Sequence, residues 1–198
     1  MSTPLAGQLG IDGSEVNPLA KRVVGVDLSL TGTGLADGES VAETIRPKHI
    51  TGHERMAFIL GEVVRAANDP RVALVVIEGP SFGSTGGSAH ERAGLWWLVA
   101  HELWALTIPY AVVSPSARAK YATGKGNAQK DDVLAATIRR WPAFTGSDNN
   151  AADAWILAAM GRDHLGLPVT AMPDLNRVAL AKVAWPAVVP ARSPPWPP

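Results

Sequence analysis

The sequence contains no cysteine, which removes disulfides, thiolate metal sites and a cysteine nucleophile together. Any metal must be held by oxygen or imidazole. The 18 basic and 18 acidic residues cancel to a formal charge of +0, so no global field draws the chain to a polyanion and any nucleic-acid face must be a local cluster. No apolar stretch approaches the length that spans a bilayer, and no basic segment followed by a long apolar run is present. Both absences predict a soluble, cytoplasmic protein with no membrane partner. There is no internal repeat, and His49, His53, His90, His101 and His164 show no paired ligand spacing.

What is present fits one domain with a real core at 198 residues. Residues 1 to about 20 mix Gly, Pro, Ser and Asn without periodicity, and the end from Pro186 is rich in proline; both read as tails. Arg22 to Leu28 reads as a buried strand, Thr31-Gly32-Thr33-Gly34 as a tight turn, Leu35-Ala36 as a second strand and Val41 to Ile45 as a third. From His53 to Ala67, apolar residues at steps of three and four predict a helix. The aliphatic run Val72 to Ile77 predicts a strand buried on both faces. A Gly/Ser-rich loop leads to a helix over Ala89 to Leu106 that is apolar on two sides, with Leu95, Leu98, Val99, Leu103 and Leu106 on one stripe and Trp97, Ala100 and Trp104 on another. Tyr110 to Val113 is a fifth strand, and Pro115 opens a short helix to about Tyr121. Further helices follow over Gln129 to Trp141, with Val133, Leu134, Ile138 and Trp141 inward, over Asn149 to Gly161, and more weakly over Leu175 to Ala184. This order predicts an α/β domain with a mixed five-stranded sheet flanked by helices.

Three acids follow or interrupt the apolar stretches: Asp27 and Glu78 at strand ends, and Asp153 one turn into the last core helix. Ionised acids in apolar surroundings cost several kcal/mol each, by order of magnitude, unless a cation or donors compensate them. Ligands of open α/β sheets gather at strand C-terminal ends, so Asp27 and Glu78 are expected to be neighbours. A divalent metal is the economical reason for them.

Val24-Gly25-Val26-Asp27 followed by Thr31-Gly32-Thr33-Gly34, the strand end Val76-Ile77-Glu78, and Ala151-Ala152-Asp153-Ala154 resemble the RuvC-type Holliday junction resolvases of the RNase H-like superfamily. Leu28-Ser29-Leu30 followed by Thr-Gly is like the phage-type branch. The resemblance covers roughly residues 22 to 162 and implies an RNase H-like nuclease domain over 21–165, between a flexible tail 1–20 and an extension 166–198 that ends in the proline-rich tail. It implies metal ligation by Asp27, Glu78 and Asp153, with a fourth ligand in Asp148, which is preferred, or in Asn150 through its amide oxygen. Lys130 falls where the family has a lysine near the metals, Arg118, Lys120 and Lys125 match its basic DNA-contacting stretch, and Phe82 is nearest to its junction-wedging aromatic.

The implied reaction is phosphodiester hydrolysis with two hard cations, magnesium or manganese, about 3.5–4 Å apart. Asp27 would bridge them, Lys130 would neutralise the phosphate or protonate the leaving group, and the products would be a 5'-phosphate and a 3'-hydroxyl. A four-way junction has approximate two-fold symmetry, so paired symmetric nicks call for a homodimer, for which the doubly apolar helix is suited. The alternatives are a sister nuclease acting on other branched DNA or on RNA, and a junction-binding protein without catalysis in which Asn150 marks a lost ligand.

Overall fold

Val72 to Ile77 has no polar side chain, and every one of its residues is buried. It forms most of strand β4 (Val72–Glu78), which is flanked on both sides. Strand β1 (Arg22–Asp27) runs parallel to it on one side and β5 (Tyr110–Val113) parallel on the other. β2 (Thr33–Ala36) and β3 (Ala42–Ile45) continue the sheet antiparallel beyond β1, giving the order β3-β2-β1-β4-β5. The mixed five-stranded sheet expected from the sequence is therefore present. The structure is a computed structural model and describes residues 22–80 and 88–187.

Successive side chains of a strand point to opposite faces, and the core divides accordingly. Val24, Val26, Val75 and Ile77 face α1 (Gly52–Ala67) and α2 (Ala89–Ala105), which bury Ile59, Val63, Leu95, Val99 and Leu103 against them. Val23, Leu74 and Val76 face α3 (Pro115–Thr123), α4 (Lys130–Arg140) and α5 (Asn149–His164). From Ala151 to Gly161, α5 is buried all round, and its alanines let it lie close to the strands.

The turn after β1 is tighter than the sequence suggested. Thr33 and Gly34 already belong to β2, and the loop closes where the Thr33 hydroxyl donates to the Ser29 carbonyl (2.8 Å) and accepts from the Ser29 N–H (3.2 Å). On α4, the inward face is rotated from the expected one. Val133, Ala136 and Thr137 are buried while Ile138 is 56% exposed. The Thr137 hydroxyl satisfies itself on the Val133 carbonyl (2.9 Å), so this short side chain can be buried where α4 approaches α3 and α5.

In place of one helix over Leu175 to Ala184 there are a single turn, α6 (Asp174–Arg177), and a 3-10 turn Leu180–Lys182. They are tied to the core by polar anchors. The Asp163 carboxylate, fully buried, accepts from the Tyr121 hydroxyl (3.1 Å) and from Arg177 (2.6 and 3.1 Å), and the Asn176 amide donates to the Tyr121 carbonyl (2.8 Å). Trp185 stacks on His164 at 4.3 Å. Among the described residues no helix is long and apolar enough to cross a membrane.

Candidate active site

The parallel register Val26↔Ile77 sets the ends of β1 and β4 side by side, and with them Asp27 and Glu78. Asp153 reaches the same place because the N-terminal half of α5 meets β1 and β2 directly at two glycines. A Cβ on Gly25 would fall 2.0 Å from the Ala154 carbonyl oxygen and 2.6 Å from the Ala158 nitrogen, and one on Gly34 would fall 2.0 Å from the Asn150 carbonyl oxygen. Only glycine permits that approach. Gly25 and Asp27 share a face of β1, so the strand that admits the helix also turns its acid toward it.

The three acids act on one another. Burial, then the charges of Glu78 and Asp153, push Asp27 up to about 8, although Arg118 and Lys130 pull the other way. Burial also raises Asp153, to about 6, with Arg118 opposing and Glu78 adding to it. Arg118 is the cation at the centre. Its side chain projects from α3 and is 8% exposed; Nε donates to Glu78 Oε2 and Nη1 to Asp153 Oδ1, both in short contacts. Burial works against its charge, and Glu78 and Asp153 outweigh that cost, so the guanidinium is raised above its usual range.

This placement corrects one expectation. Arg118 is not on an open DNA face but inside the acid cluster. The signal was in the sequence: Ala117, Arg118, Tyr121 and Ala122 fall at helical spacing on the buried face of α3, which puts Arg118 inward with them.

Asp148 is also used differently. It caps the N-terminus of α5, its Oδ1 accepting from the Ala151 N–H (2.9 Å) and the Thr44 hydroxyl (2.7 Å), while Oδ2 accepts from Arg46 (2.5 Å). Burial works the other way, but these hydrogen bonds prevail and hold the carboxyl below its usual range. With both oxygens engaged toward β3, it is not drawn to Asp27. Asn150 shares the Asp153 side of α5, three residues earlier, and packs its amide against Gly32 in the β1–β2 turn.

Lys130, exposed in the first turn of α4, lies near enough to lower both Asp27 and Asp153. Lys120 is half-buried on α3; Lys125 is exposed after Gly124, the left-handed residue that ends α3. Lys125, Arg139 and Arg140 line a cleft of about 610 Å³ between the end of α3 and α4. Phe82 lies outside the described residues.

A smaller cleft of about 240 Å³ opens directly onto Asp27 and Glu78 and is lined on its far side by Arg92 and Trp96 of α2. Trp96 donates to the Glu78 carbonyl (3.0 Å) and Arg92 to the Ser88 hydroxyl (2.7 Å). Sequence reasoning named neither for the site. Their spacing of four on a helix whose N-terminus follows the Glu78 loop was the available clue.

Among the described residues no three acidic or histidine side chains converge as metal ligands; the Arg118 guanidinium occupies the space between Glu78 and Asp153. The donor set nevertheless suits a hard divalent cation. It is all oxygen, and Asp27 is pushed upward even with Arg118 and Lys130 beside it, so the cluster is short of positive charge.

Among solved structures, the chain is similar to the Thermus thermophilus RuvC structure, with TM-score 0.59 and 20% identity over 77% of this chain and 99% of that one. It is likewise similar to T. thermophilus RuvC in complex with Holliday junction substrate, with TM-score 0.57 and 16% identity over 74% of this chain and 97% of that one. No family model matches the chain, and no curated protein matches it by sequence. The likeness shows the fold alone: the mixed five-stranded sheet flanked by helices is shared with the RuvC structures.

Proposed function

We propose that the chain is a divalent-metal-dependent endonuclease that resolves four-way DNA junctions by paired symmetric nicks. The observation that carries this reading is the meeting of Asp27, Glu78 and Asp153 at the C-terminal ends of β1 and β4 in a sheet like that of the RuvC structures. Asp27, Glu78 and Asp153 would hold magnesium or manganese, two ions per site, with Asn150 as the fourth donor. Bound there, the metal supplies a nucleophilic water at neutral pH and charge stabilisation at the phosphate. Lys130, exposed beside the acids, would meet the scissile phosphate and supply a proton to the leaving oxygen. Lys120 and Lys125 would hold the backbone of a DNA arm, with Arg139 and Arg140 adding charge along the same cleft.

A two-fold substrate calls for a two-fold enzyme. α2 presents Trp97 (68% exposed), Leu98, His101 and Trp104 (48% exposed) at helical spacing on one outward stripe. That is more apolar surface than a lone helix leaves in water, and it fits burial against a second copy of the chain. Each protomer would then offer one acid cluster to one of two related strands.

The second reading, junction binding without cleavage, draws on Asn150 standing where a fourth acid is expected and on Arg118 filling the space between two acids. One assay separates them. Purified protein is incubated with a labelled four-way junction or a matching linear duplex, with magnesium, manganese or chelator, and the products are run on a denaturing gel. Paired nicks in the junction alone, and only with metal, support the resolvase. Tight binding with intact strands supports the second reading, and cutting of linear or RNA substrates moves the assignment to a sister nuclease.

A further inference from the structure

Arg118 is an unusual occupant of its position. One guanidinium uses Glu78 Oε2 and Asp153 Oδ1, oxygens of two acids that come from different elements, and its side chain is almost fully enclosed. A cation placed between Glu78 and Asp153 would take the space the guanidinium fills and compete for those oxygens.

We propose that Arg118 is a tethered counterion that fills the cation position of the acid cluster and must release Glu78 and Asp153 before a divalent metal binds there. This rests on the reading of the acids as the metal site. Geometry makes the exchange discrete. A planar fork that donates to two carboxylates is either seated between them or withdrawn, and a guanidinium left buried without partners is costly. Charge explains why such a device is useful. Three neighbouring carboxylates repel one another, and without Arg118 the buried Asp153 and half-buried Glu78 would have only the exposed Lys130 nearby to offset them. The arginine supplies one positive charge to the acids and sets a threshold that a divalent ion must exceed.

A fixed structural role for Arg118 makes the opposite forecast. If the guanidinium only shapes the site, removing it should loosen the acids and weaken metal binding; if it competes, removing it should tighten binding. Manganese is the probe, titrated into the full chain and followed by the electron paramagnetic resonance of the free ion. Wild type, Arg118→Met and Asp27→Asn are compared. The expected result is Asp27-dependent binding that tightens at least about tenfold in Arg118→Met, since displacing even 1.4 kcal/mol of competing interaction has that effect.

A second measurement needs no variant at the arginine. In wild-type protein the Arg118 Nε–H resonance, protected by its carboxylate contacts, is followed with chelator and then with saturating magnesium, and it is expected to leave its position as metal loads. If Arg118→Met does not fold, this measurement decides alone. Manganese binding that is unchanged or weaker in Arg118→Met, or an Nε–H resonance that stays put at metal saturation, overturns the inference and leaves the metal site standing. Failure of wild type and Arg118→Met alike to bind manganese removes the metal site itself, and the inference with it.

Discussion

Replacing Asp27 by asparagine should make the metal-free protein more stable, and increasingly so as pH rises. Asp27 is raised from 3.8 to about 8, chiefly by burial and then by Glu78 and Asp153. An acid whose folded pKa lies above its unfolded one binds more protons folded than unfolded between those values, so its contribution falls as pH climbs from about 4 to 8 and is flat beyond. A shift of roughly four units caps the penalty at about 6 kcal/mol. Relaxation around the carboxylate and water entry absorb much of that penalty, so about 2 kcal/mol is the working figure. For a chain of this size that is a rise in Tm of about 4–8 °C for Asp27→Asn at pH 8.5, shrinking toward zero near pH 4. Thermal denaturation of both proteins in chelator, across that range, measures it. Saturating magnesium should then reverse the order, because only wild type gains binding energy; a ligand at a hundred times its Kd adds about 2.7 kcal/mol. An Asp27→Asn protein that is less stable than wild type in chelator at pH 8.5, or a difference that narrows as pH rises, would refute the reasoning.

Gly25→Ala should cost at least about 1–3 kcal/mol in denaturant unfolding, because the new methyl meets helix backbone that cannot rotate away. The folded fraction should also cut junctions poorly, since Asp153 adjoins the displaced Ala154. Arg177→Ala should cost about 2 kcal/mol, less than a fully buried pair because Arg177 is half exposed, and urea melts should show it without change in the metal titration. Lys120→Ala combined with Lys125→Ala should weaken junction binding and reduce the slope of log K against log salt by about 2; an unchanged slope takes both off the DNA face. Trp97→Glu should shift the protein to monomer in sedimentation at micromolar concentration, and a dimer that persists would place the interface elsewhere.

The sheet and the acids were legible because each rests on a local pattern. An unbroken aliphatic run such as Val72 to Ile77 has few places to go but the centre of a sheet, and Asp27 and Glu78 close two such runs. What escaped the sequence depended on which partner a polar group finds in space. Asp148 reads equally well as a ligand or a helix cap, and only the arrival of Thr44 from β3 and of Arg46 just beyond it decides for the cap. Arg118 follows Ser114 and Pro115 in a stretch rich in basic residues, and its composition suggested an exposed strip; the alanines around it carry the contrary information, that this turn of α3 packs inward. Ile138 and Thr137 exchanged places for a similar reason. Hydrophobicity favours burying the isoleucine, but the close approach of α4 to its neighbours selects the smaller side chain, whose hydroxyl bonds to its own helix.

At Gly25 and Gly34 the contact of α5 with β1 and β2 is made by main chain. A spacing set by peptide groups has no compliant layer, so it behaves as a hard stop rather than a cushion. At the end of α5 that carries Asp153, the height of the helix above the strands is fixed by those two glycines, and the separation of Asp27 from Asp153 is set there rather than by the bulk of a side chain.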